Sequence, residues 1–226
     1  MLLKFNCTPK FDQKVKIPSR TQVQRICKDL EKEIIDIVLP IDEFIDTVGN
    51  FIVHRFRVNV LHAESLQVEL GEVDINAHYD SESDDICRIA INLVLVTHPK
   101  DGVYLYDRTT FDQLITNLAD TLAHELIHMK QSRARNHLNF DSKIKDAQAQ
   151  FNDAEYLSEP DEIDAFAYGI ATDLKALPDP IKRLSDPKSI TMDDSANLCV
   201  YINTFSKDIN SITLKKLYKK IYKYLT

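Results

Sequence analysis

His124 and His128 stand four residues apart in the run Thr121-Leu-Ala-His-Glu-Leu-Ile-His-Met-Lys-Gln131, with Glu125 directly after the first. Residues at i and i+4 share one face of a helix, so both imidazoles can reach a single metal ion. Two neutral imidazoles suit zinc, and a carboxylate beside them can take a proton from a water that the metal activates. That is the chemical content of a His-Glu-x-x-His pattern, with His124 and His128 as ligands and Glu125 as general base. The plain alternative is two core or surface histidines on an ordinary amphipathic helix.

The flanking residues favour the metal. Thr110 followed by Gln113 predicts a capping box, and apolar periodicity runs unbroken from there to Met129. At roughly 100° per residue, Phe111, Leu114, Leu118, Leu122, Leu126 and Met129 fall in one sector. Asn117, Asp120, Thr121, His124, His128 and Gln131 fall in another. Glu125 does not join that polar stripe. It lies at the edge of the apolar sector, where an unpaired carboxylate is costly unless a metal-activated water is its partner. Asp120 and Gln131 are placed to orient the imidazoles, or are ordinary exposed polar residues.

A catalytic zinc keeps three protein ligands and an open position. The longer pattern with a third histidine needs Gly and His where this chain has Gln131 and Ala134, so that form is absent. The remaining common solution is a glutamate on a later helix. In Tyr156-Leu-Ser-Glu-Pro-Asp-Glu-Ile-Asp-Ala-Phe-Ala-Tyr-Gly169, Ser158 is a candidate N-cap and Pro160 suits a first turn, ahead of a helix expected to run to about Leu177. Glu162 shares its helical face with Ala165 and Gly169, small residues that would let this helix approach the histidine helix. Mid-helix glycine costs about 1 kcal/mol relative to alanine, which argues for a packing reason. Glu159, one turn earlier, is the competing ligand or only a first-turn acid favoured by the helix dipole.

The paired segments, His124-Glu-Leu-Ile-His-Met-Lys-Gln131 and then Tyr156, Pro160 and Glu162-Ile-Asp-Ala-Phe-Ala167, resemble the zinc metallopeptidases common in bacteriophage genomes. Their pattern couples His-Glu-Leu-x-His-x-x-Gln with Tyr-x-x-x-Pro-x-Glu-Ile-Glu-Ala-x-Ala. The resemblance covers roughly residues 111–171, about a quarter of the chain, and Asp164 departs from it where the family has Glu. It implies a gluzincin-like site of His124, Glu125, His128 and Glu162, and it supplies a chemistry without a substrate. For an oxyanion stabiliser, Tyr156 and Tyr168 are candidates by their place in the sequence alone.

The rest of the chain must position these residues. With 226 residues, 44% hydrophobic and 28% charged, there is ample material for a core, and no repeat or low-complexity tract interrupts it. A net charge of −7 argues against a nucleic-acid partner. No apolar run approaches the ~20 residues of a membrane span, so no stable membrane insertion is expected. Nor does the opening Met-Leu-Leu-Lys-Phe make a signal peptide. Cys7, Cys27, Cys87 and Cys199 show no metal or redox spacing, as expected of reduced, mostly buried thiols in a cytoplasmic protein. For a phage-encoded chain that means the host cytoplasm.

Residues 1–17 are expected as a short strand or extended arm, followed by a helical pattern from Ser19 or Thr21 that stops before Pro40. Ile41 to about Val60 reads as helical or mixed. Leu66–Leu70 and Val73–Ala77 alternate around Gly71 as a strand pair or one bent strand. Ile86–Val96, a nearly continuous apolar run, is expected as a strand buried on both faces or at a sheet centre, and Val103–Tyr106 as a further short strand. His54, His62, His78, His98 and His137 have no partner at ligand spacing. Residues 133–152 read as a polar loop with part of a helix. Further on come a loop with Pro180 and Pro187, a helix near Asp194–Phe205, and a closing helix from about Ile212. That last helix, Leu214–Leu225, carries five lysines. It would dock its Leu/Ile/Tyr face and leave the lysines in solvent, or else bind an acidic partner or membrane surface.

The expected fold is α+β and zincin-like, with a small twisted, mainly antiparallel sheet, a long histidine helix and a mostly helical C-terminal part. One domain, 1–226, would hold N-terminal helices and sheet (1–110), metal-site helices (111–177) and C-terminal helices (178–226). The expected function is zinc-dependent hydrolysis of a peptide or protein substrate. From another class stands a catalytically silent zinc-binding structural or interaction protein of a phage or phage-like element. Oligomeric state is not legible.

Overall fold

The computed structural model describes residues 16–81, 90–135, 154–186, 189–206 and 211–226. The expected N-terminal arm, Cys7, Cys87 and His137 lie outside them, as do the start of the apolar run at 86–96 and most of the 133–152 loop. Packing divides the chain into two compact units, Met1–His137 and Leu138–Thr226. That boundary falls inside the segment grouped above as metal-site helices.

In the first unit, Ser19 opens α1 (Arg20–Ile26) with a capping box: its hydroxyl accepts from Gln22 N–H and the Gln22 side chain accepts from Ser19 N–H. α2 (Lys28–Ile34) follows at once. The helical pattern expected up to Pro40 ends early, because Ile35 turns extended and Asp36 takes a left-handed φ of 59°. Asp36 N–H bonds to Tyr106 O, and Ile35 bridges Tyr106. Val38–Pro40 then becomes β1, antiparallel to β5 (Val103–Leu105). β-branched residues in this stretch suit a strand as well as a helix, and long-range pairing chooses between them.

α3 (Ile41–Phe56) leads through Arg57, left-handed at φ 56°, into β2 (Asn59–Glu64). β2 begins at the end of the stretch expected as helical or mixed and runs on beyond it. Residues 66–70 form a turn with Leu66 and Leu70 exposed, not a strand, and the alternation beyond Gly71 becomes β3 (Val73–Tyr79). β4 (Ile91–Thr97) is central, with Leu93 and Leu95 fully buried. It pairs parallel with β2 and antiparallel with β3, so this small sheet is mixed rather than mainly antiparallel. The fold is α+β.

α4 (Arg108–Ala134) bears the two histidines and packs on β3 and α1. Its cap is Asp107, whose carboxylate accepts from Thr110 N–H at 2.8 Å, so the helix starts before the expected Thr110 box. Phe111, Leu114, Leu118 and Leu122 are buried as expected, joined by Ile115, Ala119 and Ile127. Cys27 is a free, buried thiol whose pKa burial pushes up to about 12, an inert core group.

The described elements of the second unit are helices, α5 (Ala154–Leu157), α6 (Pro160–Lys175), α7 (Pro180–Ser185), α8 (Ala196–Phe205) and α9 (Ile212–Leu225), joined by turns. α9 docks Leu217 and Ile221, both fully buried, in the packing with α6. Lys215, Lys216, Lys219 and Lys223 stay exposed, while Lys220 pairs with Asp164 at 2.8 Å. The lysine-rich helix is therefore a docked amphipathic helix. No described helix is long and apolar enough to cross a membrane.

Within the second unit, no described residue gives Gly169 a packing reason. A Cβ there would meet only the Asn197 amide, at 3.9 Å, an ordinary contact, so no described neighbour requires glycine. Gly169→Ala is accordingly expected to stabilise the protein by about 0.5–1 kcal/mol through helix propensity and chain entropy. Chemical denaturation of wild type and variant measures this directly, and a loss of stability would show that the position does need glycine.

Candidate metal centre

Local sequence places the histidines. Nothing in Arg108–Ala134 breaks the helix, so His124 and His128 face the same way, half-buried, one turn apart. Their Nε2 atoms approach to 3.0 Å, with the rings edge-to-face at 4.7 Å between centroids. Two nitrogens at ~2.0–2.1 Å from one ion in near-tetrahedral geometry would lie roughly 3.3 Å apart. The pair is already close to that spacing.

Gln131 fixes one of the rings. Its Oε1 sits 3.1 Å from His128 Nδ1, and an amide oxygen only accepts, so Nδ1 carries the proton and Nε2 presents its lone pair. Asp120, the other candidate for such a role, holds a bidentate pair with Arg20 of α1 at 2.6 and 2.7 Å. That contact ties α1 to α4 one turn before His124.

Glu125 is 7% exposed on a helix whose inner face is Leu and Ile. Among the described residues no hydrogen bond or ion pair reaches its carboxylate. A buried carboxylate in that condition is costly, and Glu125 directly follows His124 in the helix.

In the second unit, Glu159 is the N-cap of α6 and makes no capping hydrogen bond with its side chain. Ser158, the expected cap, instead donates its hydroxyl to Glu155 O. Pro160 opens the helix, and Glu162 follows in the first turn, 8% exposed against the half-buried Glu159. Asp164, where the resemblance has Glu, is held by Lys220 and by the Tyr224 hydroxyl at 3.2 Å, a structural use. Tyr156 packs edge-on against Phe166 and Tyr168 against Tyr224.

His62 bonds Thr97, His78 meets Asn92, His98 accepts from Lys100 N–H, and His54 is exposed at the end of α3, so each has the ordinary setting expected of it. Tyr201 of α8 was not among the candidates from sequence. It is fully buried, and its hydroxyl has no hydrogen-bond partner among the described residues. No signal in the chain marks it, since its spacing is that of a core aromatic. No protein-family model matches the chain, and no curated protein or solved structure matches it either.

Proposed function

We propose that this chain is a zinc-dependent metallopeptidase, with His124, His128 and Glu162 as ligands and Glu125 as general base. The observation that carries the reading is the pair of Nε2 atoms 3.0 Å apart beside a buried Glu125 with no described partner. As the resemblance implies, one nitrogen from each histidine and one oxygen of Glu162 would make up the donor set. Two imidazoles and a carboxylate, with a fourth position open, suit zinc. The zincin-like arrangement and the resemblance to phage metallopeptidases belong to the same proposal.

Bound zinc supplies Lewis acidity, lowering the pKa of water and polarising a carbonyl. The chain's own groups do the rest. Glu125 accepts a proton from the attacking water on a carboxylate oxygen and returns it to the leaving amine. Gln131 keeps the proton of His128 on Nδ1, so Nε2 would present its lone pair to the metal.

Metal analysis of the purified protein is expected to give about one zinc per chain, lost on chelation. A correctly folded sample that binds no divalent metal would end the proposal.

A further inference from the structure

The first turn of α6 has a neighbour that the ligand set does not account for. Tyr201 packs edge-to-face on Phe166, with ring centroids 5.6 Å apart and planes at 66°. Phe166 lies one helical turn beyond Glu162 on the same face of α6. Phe205 closes the other side of the tyrosine ring at 5.9 Å, so its place is fixed by packing. The ring therefore packs against α6 one turn beyond Glu162, with a buried hydroxyl that no described group satisfies.

A buried hydroxyl without a partner is destabilising, and a well-packed core would be served better there by phenylalanine. Burial, and after it the charge of Glu162, hold the Tyr201 hydroxyl well above the ordinary phenol range, so it stays protonated and can only be useful as a donor or as a weak acceptor. A carboxylate that binds zinc through one oxygen leaves the other to be oriented, and such outer hydrogen bonds tune metal affinity.

We propose that Tyr201 is a positioning residue for Glu162: when Glu162 holds the metal, the Tyr201 hydroxyl donates to the carboxylate oxygen that does not bind it. The inference rests on Glu162 being a zinc ligand. Fully buried, Tyr201 does not touch substrate; it acts through Glu162 alone.

The test is zinc affinity of the full chain, measured by competition with a chromogenic chelator, together with melting of the metal-free protein. Tyr201→Phe keeps the ring and removes only the hydroxyl. It is expected to lower zinc affinity about 10-fold, while the metal-free protein melts at the same temperature or higher. In a Glu162→Ala background the same change is expected to leave zinc affinity where it was. A merely structural tyrosine would give the opposite pattern, with a lower melting temperature and unaltered zinc affinity, and that result overturns the proposal. An affinity loss that persists without Glu162 overturns it too. If wild type binds zinc and Glu162→Ala binds it equally well, the ligand assignment itself has failed, a result distinct from failure of Tyr201 alone.

Discussion

Glu125→Gln is expected to bind zinc like wild type, to keep its fold, and to lose hydrolysis by ~10²–10⁴-fold. The substitution preserves the shape of the side chain and removes only the ability to take a proton. Because Glu125 is 7% exposed and has no described ionic partner, the amide leaves no counter-charge stranded. The folded protein should therefore be at least as stable as wild type, since an uncompensated buried carboxylate is itself costly. The informative assay compares new N-termini across a proteome exposed to wild type and to the variant, because it works with any protein substrate. Peptides generated by both proteins alike would remove Glu125 as the general base. Peptides generated by neither protein would favour a catalytically silent zinc-binding module. In that case a partner's affinity would be indifferent to Glu125.

The second large effect separates the two glutamates at the start of α6. Glu162→Ala is expected to reduce zinc affinity on the order of 10²–10³-fold, about 3–4 kcal/mol. Glu159→Ala should cost only a dipole contribution of ~0.3–1 kcal/mol, independent of metal. Both residues lie near a helix N-terminus, so removing either carboxylate loses some of that favourable charge–dipole interaction. They differ in burial and in cap role. Glu162 is buried in the first turn, whereas Glu159 is the half-buried N-cap whose side chain makes no capping bond. Comparing metal-free and zinc-loaded stability for each variant isolates the ligand contribution, since the dipole loss appears in both states. Equal zinc affinity in wild type and Glu162→Ala, with a loss in Glu159→Ala, would move the third ligand one turn toward the N-terminus.

What the sequence determined by itself was local. His124 and His128 share a face because a helix repeats every 3.6 residues, and the placement of Glu125 off the polar stripe follows from the same angle. Its observed burial agrees. Pro160 opening α6 and the docked face of α9 are likewise properties of short windows. The centre of the sheet was legible in the apolar run that became β4, because a strand flanked on both sides needs apolar residues on both faces.

Tertiary structure decided whatever depends on partners distant in the chain. Residues 35–38 left the helical pattern to pair with β5 and Tyr106 some 65–70 residues later, an exchange of backbone hydrogen bonds that side-chain periodicity does not encode. β2 is an edge strand with mostly exposed side chains, so no alternation announced it, and its parallel register exists only against β4. Asp107 displaced the Thr110 box because a carboxylate one turn earlier satisfied the Thr110 N–H. Asp120 found Arg20, 100 residues away. Tyr201 came to Phe166, one turn beyond Glu162, only because α8 packs back on α6, and no spacing within either helix foretells that contact. Periodicity fixes which face a residue occupies; what faces it is fixed by packing.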